Sequence, residues 1–442
     1  MTKLSFLELY SQNLLLSLII TFLSVFCTYL ILRKHIYMLY DPIVFIVLMA
    51  GSGYSVVFIL YLNGLIKGYY FYSFLATQSA FFIGFLCNRR PSFKKINLSG
   101  QGRRPYYGGT IKILYPASIF LFMSSQLFIY YQSGIPLFFA SRLAIFSGGD
   151  GYGIFNRIIF VTQIASCAIA FYRLFFVERK GFSVIVDYFV IVFCLVAAIL
   201  SGAKASILLM VFSMFYVLLF VNKFDVERTI YKKIKRFFLI FLSLGVMAAL
   251  ITISYQTNSD NFSYLFSVLA MRFVNTGDIY FMSYINGTLE QLMPANFFLA
   301  LFKDFFGAFR LVDWANLPTN LGLQIFWSVY DSNQIQGPNP RHNVFGLFYL
   351  GPYLSIFYSF IVGFSVSYIR NKMLMKLSAS PASMIFYVLI AANTLYIEQD
   401  TTFALGQYLS ICIVFIPLWV LSRLTMQMFQ MDKGHAQDVK ND

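Results

Sequence analysis

Apolar residues in this chain continue for about twenty positions at a time, without the strict alternation of a half-buried strand or the one-sided stripe of a surface helix. Eleven such runs stand out, at 13–32, 42–62, 69–87, 113–132, 158–177, 182–200, 203–221, 237–255, 343–369, 382–397 and 402–422. A bilayer's hydrocarbon core of about 30 Å takes about 20 helical residues to cross. The pattern therefore predicts an all-α polytopic membrane protein with about 11 transmembrane helices. Barrel strands would alternate apolar and polar residues over about ten positions, and these runs do not.

Between the runs most connections are short, with two exceptions on the side that the charge distribution makes the outer one: 133–157, and a segment of about 85 residues from 256 to 342. Within the longer one, Pro294 opens a stretch with Phe297, Phe298, Leu301, Phe302, Phe305, Phe306 and Phe309. Their three- and four-residue steps predict an aromatic helical face held at the membrane surface. No internal repeat divides the chain, so residues 1–442 read as a single transmembrane domain.

Composition agrees, because 59% hydrophobic and 12% charged residues cannot clothe a water-exposed surface. The net charge of +15 raises nucleic acid as a partner, but the placement of the charges argues for orientation instead. With the basic loop from Arg89 to Lys112 in the cytoplasm, alternation puts 24 of the 33 Lys and Arg residues inside. The N-terminus is then outside, the C-terminus inside, and 133–157 and 256–342 become outer loops. Lys3 and Glu8 offset one another ahead of the first run, so that run reads as a retained helix. Cys27, Cys87, Cys167, Cys194 and Cys412 all lie within apolar runs, without metal-ligand spacing, and read as packing residues.

Nine basic residues stay on the outer side against this trend: Lys3, Lys67, Arg142, Arg157, Lys204, Arg272, Lys303, Arg310 and Arg341. Planar guanidinium groups bind phosphate oxygens in pairs, so a pyrophosphate is a sensible outer ligand. His342 is the single outer histidine, in Gly337-Pro338-Asn339-Pro340-Arg341-His342-Asn343, a turn leading into the ninth run. Beside an arginine, an imidazole can serve as a base or donor near neutral pH. The outer carboxylates, Asp278, Asp304, Glu398 and Asp400 among them, show no paired spacing, and no metal site is legible. Arg173 and Asp187 lie at similar depth on adjacent helices and predict a structural ion pair.

Gly134-Ile135-Pro136-Leu137, Arg142 and the glycine-rich 148–153 resemble the first outer loop of the Wzy-type O-antigen polymerases, oligosaccharide repeat-unit polymerases. Ser201-Gly202-Ala203-Lys204 is similar to that family's small-residue entry to the seventh helix, with lysine in place of arginine. The Pro340-Arg341-His342-Asn343 stretch resembles the close of its long loop, and also the His-Asn element of O-antigen ligases. Arg142 and Gly153, with ten residues between them, resemble the arginine-x10-glycine spacing of some members, and a second such spacing is absent here. The resemblance implies a GT-C-like bundle with a long periplasmic loop containing short helices, in a bacterial inner membrane. It implies a metal-independent glycosyltransferase acting on undecaprenyl-pyrophosphate-linked oligosaccharide, without cofactor, with membrane lipid and a chain-length regulator protein as partners. Polymerase, ligase and lipid-linked oligosaccharide flippase remain open. Under this reading Arg142, Arg272, Arg341, Arg157 and Lys204 hold pyrophosphate. His342 and then Asp278 are candidate bases, and Asn339, Asn343 and Gln336 face sugar hydroxyls.

Overall fold

A computed structural model describes residues 8, 10–11, 13–91, 109–139, 153–177, 181–202, 204–222, 228–257, 259–330 and 335–438. Each of the eleven apolar runs is helical: α1 Leu14–Leu32, α2 Pro42–Leu62, α3 Gly68–Leu86, α4 Ile111–Ser133, α5 Gly153–Phe176, α6 Phe182–Leu200, α7 Lys204–Val221, α8 Arg228–Thr257, α9 Arg341–Ser367, α10 Pro381–Ala392 and α11 Thr401–Met428. No strand occurs among the described residues, and nine of their helices are long and apolar enough to cross a bilayer. This is the build of a multi-pass membrane protein. α3 has the length but carries Ser73, Thr77, Gln78 and several tyrosines, and the apolar part of α7, Ser206–Val221, is short.

Local chemistry sets the helix ends. Asp41 caps α2 by accepting from the Ile43 amide (2.9 Å), and Pro42 fills the first turn, where its missing N–H costs nothing. α4 stops at Gly134, whose φ of +84° suits a residue without a side chain, and Pro136 prevents continuation.

The chain gathers into two compact units: Met1–Pro91, Ala249–Met373 and Asn393–Gly406 form the first, and Ser92–Ala248, Leu374–Ala392 and Gln407–Asp442 the second. In the second unit the sequence-predicted pair is present. Arg173 Nε donates to Asp187 Oδ2 at 3.1 Å, and Tyr115 donates to the other carboxylate oxygen at 2.7 Å while its ring lies under the guanidinium. All three are buried, so the charge is taken out of the apolar medium by partners rather than by water. Cys167 and Cys194 are buried as packing residues, whereas Cys27, Cys87 and Cys412 are exposed.

The first unit rests on a close crossing of α3 and α9. Gly84 lies against the Phe360 carbonyl and Gly363 against the Phe81 carbonyl, so each helix presents a glycine to the other's backbone. Near the start of α2 a buried Asp41 accepts from Arg370 at 2.5 Å, and Arg370 also donates to the His35 carbonyl. A π turn at Tyr368–Met373 turns both Arg370 and Asn371 inward. Asn371 then donates to the Asn88 carbonyl at 2.9 Å, so three connections are tied together. Lys67, one of the sequence-read outer cations, pairs with Glu290 at 2.8 Å on the surface, where Glu290 also accepts from Tyr70. Those bonds hold the Glu290 carboxyl below its usual range.

The aromatic stretch after Pro294 forms two short helices, Phe297–Leu301 and Lys303–Ala308, rather than one. Phe298, Phe302, Phe305 and Phe309 are exposed, while Lys303 and Asp304 turn inward. An outward aromatic face fits a segment lying in the membrane interface.

Candidate functional site

The ninth run is not a straight helix. Gly351 has φ +71° and ψ −176°, followed by Pro352, and the chain reverses there. His342 Nδ1 lies 2.9 Å from Ser359 Oγ, whereas in a straight helix residues seventeen apart would be separated by about 25 Å. Phe345 and Tyr358 also meet across the fold, 5.9 Å between ring centroids, and Gly346 leaves room for Ser355. Residues 341–350 thus form an arm about 15 Å long, half of what a crossing needs, doubled back on a longer helix that begins at Pro352.

A second broken segment meets this arm. Helix Phe262–Val274 ends in the turn Asn275–Gly277, and helix Asp278–Tyr284 follows. The turn docks on the middle of α2, where Gly277 lies against the Gly53 carbonyl and Thr276 donates to the Met49 carbonyl at 2.6 Å. Docked there, the Thr276 carbonyl accepts from Arg341 Nε at 3.1 Å. Arg341 itself has φ +41°, a left-handed conformation that costs about 1–2 kcal/mol for a residue bearing a side chain. Its bonds hold it there.

The triplet Arg341, His342 and Asn343 is fully enclosed, at 2%, 0% and 1% exposure. Arg341 Nη1 donates to Glu398 Oε1 at 2.5 Å, the same oxygen accepts from Tyr54 at 3.1 Å, and the guanidinium lies 5.5 Å from the Tyr54 ring. The His342 ring stacks on Phe81 at 4.8 Å. Asn343 accepts from Tyr280 at 2.8 Å and donates to Thr77 at 3.0 Å and Gln78 at 3.3 Å. Of these partners, Tyr54, Thr77, Gln78 and Phe81 come from the middles of α2 and α3. Three buried polar atoms in the cluster, His342 Nε2, Gln78 Nε2 and Glu398 Oε2, have no partner among the described residues. An unsatisfied buried group costs about 1–3 kcal/mol, so such a grouping marks a place that can take up a polar ligand.

Other sequence candidates stand differently. Asp278 follows the docked turn and is half-buried; Arg272 is exposed in the last turn of Phe262–Val274, and Gln336 and Asn339 are exposed on the arm's approach. Arg157 belongs to the second unit and donates to Ser410 at 2.9 Å. Lys204 begins α7 in that unit, and its side chain, like the whole of Arg142, lies outside the described residues. There Gly202 packs on the Leu137 backbone at 3.4 Å, joining the Gly134–Leu137 and Ser201–Lys204 segments noted in the sequence. Sequence reasoning missed Tyr54, Thr77, Gln78 and Ser359, and left Glu398 unpaired. A glutamine within an apolar run is the signal that could have found this cluster, because a bilayer tolerates it only with partners.

Beside the arm lies a small crevice of about 10 Å³, room for a single water, lined by Lys303, Thr319, Asn320, Tyr349, Asp400 and Thr402 together with the apolar Ala300, Leu321, Pro340 and Phe345. Asp400 caps α11 through the Phe403 amide at 2.9 Å, and Asp304 sits against Gly406. Burial, reinforced by Asp304, lifts the Asp400 carboxyl to about 6, with the Phe403 amide and Lys303 opposing. Burial also lowers the Lys303 ammonium. Because the folded state favours the protonated acid, the stability Asp400 contributes is complete below about pH 4 and lost as pH rises through about 6. Asp400→Asn keeps the cap, since asparagine caps as well as aspartate. It is expected to remove a decline on the order of 2 kcal/mol, read as thermal unfolding at pH 4.5 against pH 7.5. An unchanged difference between the two pH values would count against this account.

No protein family, no curated protein and no solved structure matches this chain.

Proposed function

We propose that this chain is a polymerase that joins undecaprenyl-pyrophosphate-linked oligosaccharide repeat units at the periplasmic face of a bacterial inner membrane. The observation that carries the reading is the Arg341-His342-Asn343 triplet, gathered with unsatisfied polar atoms at the start of a folded-back helix. In the reaction an acceptor sugar hydroxyl attacks the donor's anomeric carbon. The bond to the pyrophosphate oxygen breaks, and undecaprenyl pyrophosphate leaves with both bonding electrons. His342 Nε2 takes the hydroxyl proton, while Ser359 fixes the ring through Nδ1. Arginines stabilise the charge that develops on the leaving group: Arg272 is exposed and available for this, and Arg341 reaches it once Glu398 is displaced. A long membrane-surface segment fits a lipid-linked substrate.

The test is in vitro elongation of a purified lipid-linked unit. His342→Gln is expected to lower the rate at least 100-fold while the protein stays folded, and Arg142→Ala is expected to weaken donor use. Full activity in His342→Gln would end this mechanism. Full-length polymer accumulating on undecaprenyl pyrophosphate in a null strain would mean a ligase instead.

One observation favours a second reading. A helix folded back at Gly351 and a helix broken at Asn275–Gly277 meet at the middle of α2 and α3, and broken helices at midplane sites are an arrangement that transporters use. Reconstituted vesicles separate the two, since a flippase relocates substrate and makes no glycosidic bond.

A further inference from the structure

We propose that the elbow between α1 and α2 is a binding site for an anionic glycerophospholipid, with the phosphate on Arg33, Lys34 and Arg90 and an acyl chain in the adjoining apolar groove. The groove, about 490 Å³, runs along both helices and is walled by Phe22, Phe26 and Tyr29 on α1, Leu39 in the elbow, and Val44 and Leu48 on α2. It is almost wholly apolar, and the α1 side chains beside it are exposed, as a lipid-facing helix requires.

The rim is basic and built. Arg33 and Lys34 are exposed in the short turn Arg33–His35 that ends α1. Arg90 donates to the Ile36 carbonyl at 2.9 Å and its guanidinium lies over the Tyr37 ring at 4.1 Å, and Ile36 and Tyr37 are themselves groove residues. One of its five N–H donors is spent this way, so the guanidinium is held at the mouth of the groove with donors to offer. Arg89 adds a fourth exposed cation. The one carboxylate of the elbow, Asp41, is buried and neutralised by Arg370, so it does not offset the rim. Four cations beside an acyl-sized apolar channel match a lipid whose headgroup carries net negative charge, as basic pockets between membrane helices do. A zwitterionic headgroup would bring an ammonium into the same cluster and be repelled.

The experiment uses the full chain in neutral detergent, with thermal unfolding followed as dioleoyl phosphatidylglycerol or dioleoyl phosphatidylcholine is added. Phosphatidylglycerol is expected to raise Tm by about 5 °C at saturation, with little change from phosphatidylcholine. The triple variant Arg33→Gln, Lys34→Gln, Arg90→Gln should lose that shift. Independently, Leu48→Trp, which fills the groove and leaves every charge in place, should lose it too. Equal shifts from both lipids, or a full shift in either variant, would overturn the proposal. So would displacement of phosphatidylglycerol by an equimolar isoprenyl phosphate, which would assign the groove to a prenyl chain.

Discussion

Arg341→Ala is expected to destabilise the first unit by about 3–5 kcal/mol, far beyond what loss of an exposed arginine would do. The substitution strands Glu398, 1% exposed, with only the Tyr54 hydroxyl to stabilise its charge, and it frees the Thr276 carbonyl that the guanidinium now satisfies. Removing one partner of a buried pair costs more than removing both, because the survivor keeps its desolvation penalty. Arg341→Met combined with Glu398→Gln should therefore recover part of the loss, and a double-mutant cycle read by thermal unfolding gives the coupling directly. A loss below about 1 kcal/mol for the single variant would show that the pair is weak, as exposed pairs are. The result also bears on function, since abolished polymer in Arg341→Ala would report folding as much as chemistry. His342→Gln is the cleaner probe.

Second in size is the α3–α9 crossing. Gly84→Val and Gly363→Val each push a side chain into a facing carbonyl, that of Phe360 and of Phe81 respectively. Overpacking costs about 1–3 kcal/mol and sometimes more, and here neither backbone can yield without separating the helices. Because α3 also carries Thr77, Gln78 and Phe81, the separation would take Asn343 and His342 away from their partners. The expected result is a sharp fall in the yield of monodisperse protein for either variant, with the double variant no worse than additive. Normal yield and Tm in both would mean that the crossing adapts easily.

The membrane-crossing architecture was legible because burial in lipid leaves its mark on every residue of a run: all eleven apolar runs are helical, and nine helices among the described residues are long and apolar enough to cross a bilayer. The Arg173–Asp187 pair was legible for a related reason, since two charges in such runs have few other ways to be tolerated. The reversal at Gly351 was not. Residues 343–369 are apolar on both sides of it, and hydrophobicity carries no information about direction; only the Gly351-Pro352 dipeptide hinted at a break. Likewise Arg341 and Glu398 are 57 positions apart, and nothing in spacing pairs residues brought together only by the fold. The single helix expected after Pro294 breaks at Phe302, because burying Lys303 and Asp304 asks for a local turn that an ideal stripe would not supply.

The π turn at Tyr368–Met373 has a consequence for how this protein can vary. Such a turn amounts to one extra residue inserted in a helix, so everything beyond it is rotated by about 100° relative to the α-helical phase. Arg370 and Asn371 meet Asp41, His35 and Asn88 only in that shifted phase. Along this stretch the length of the chain is constrained as tightly as its composition: a one-residue deletion would keep every side-chain type and still disconnect the lock.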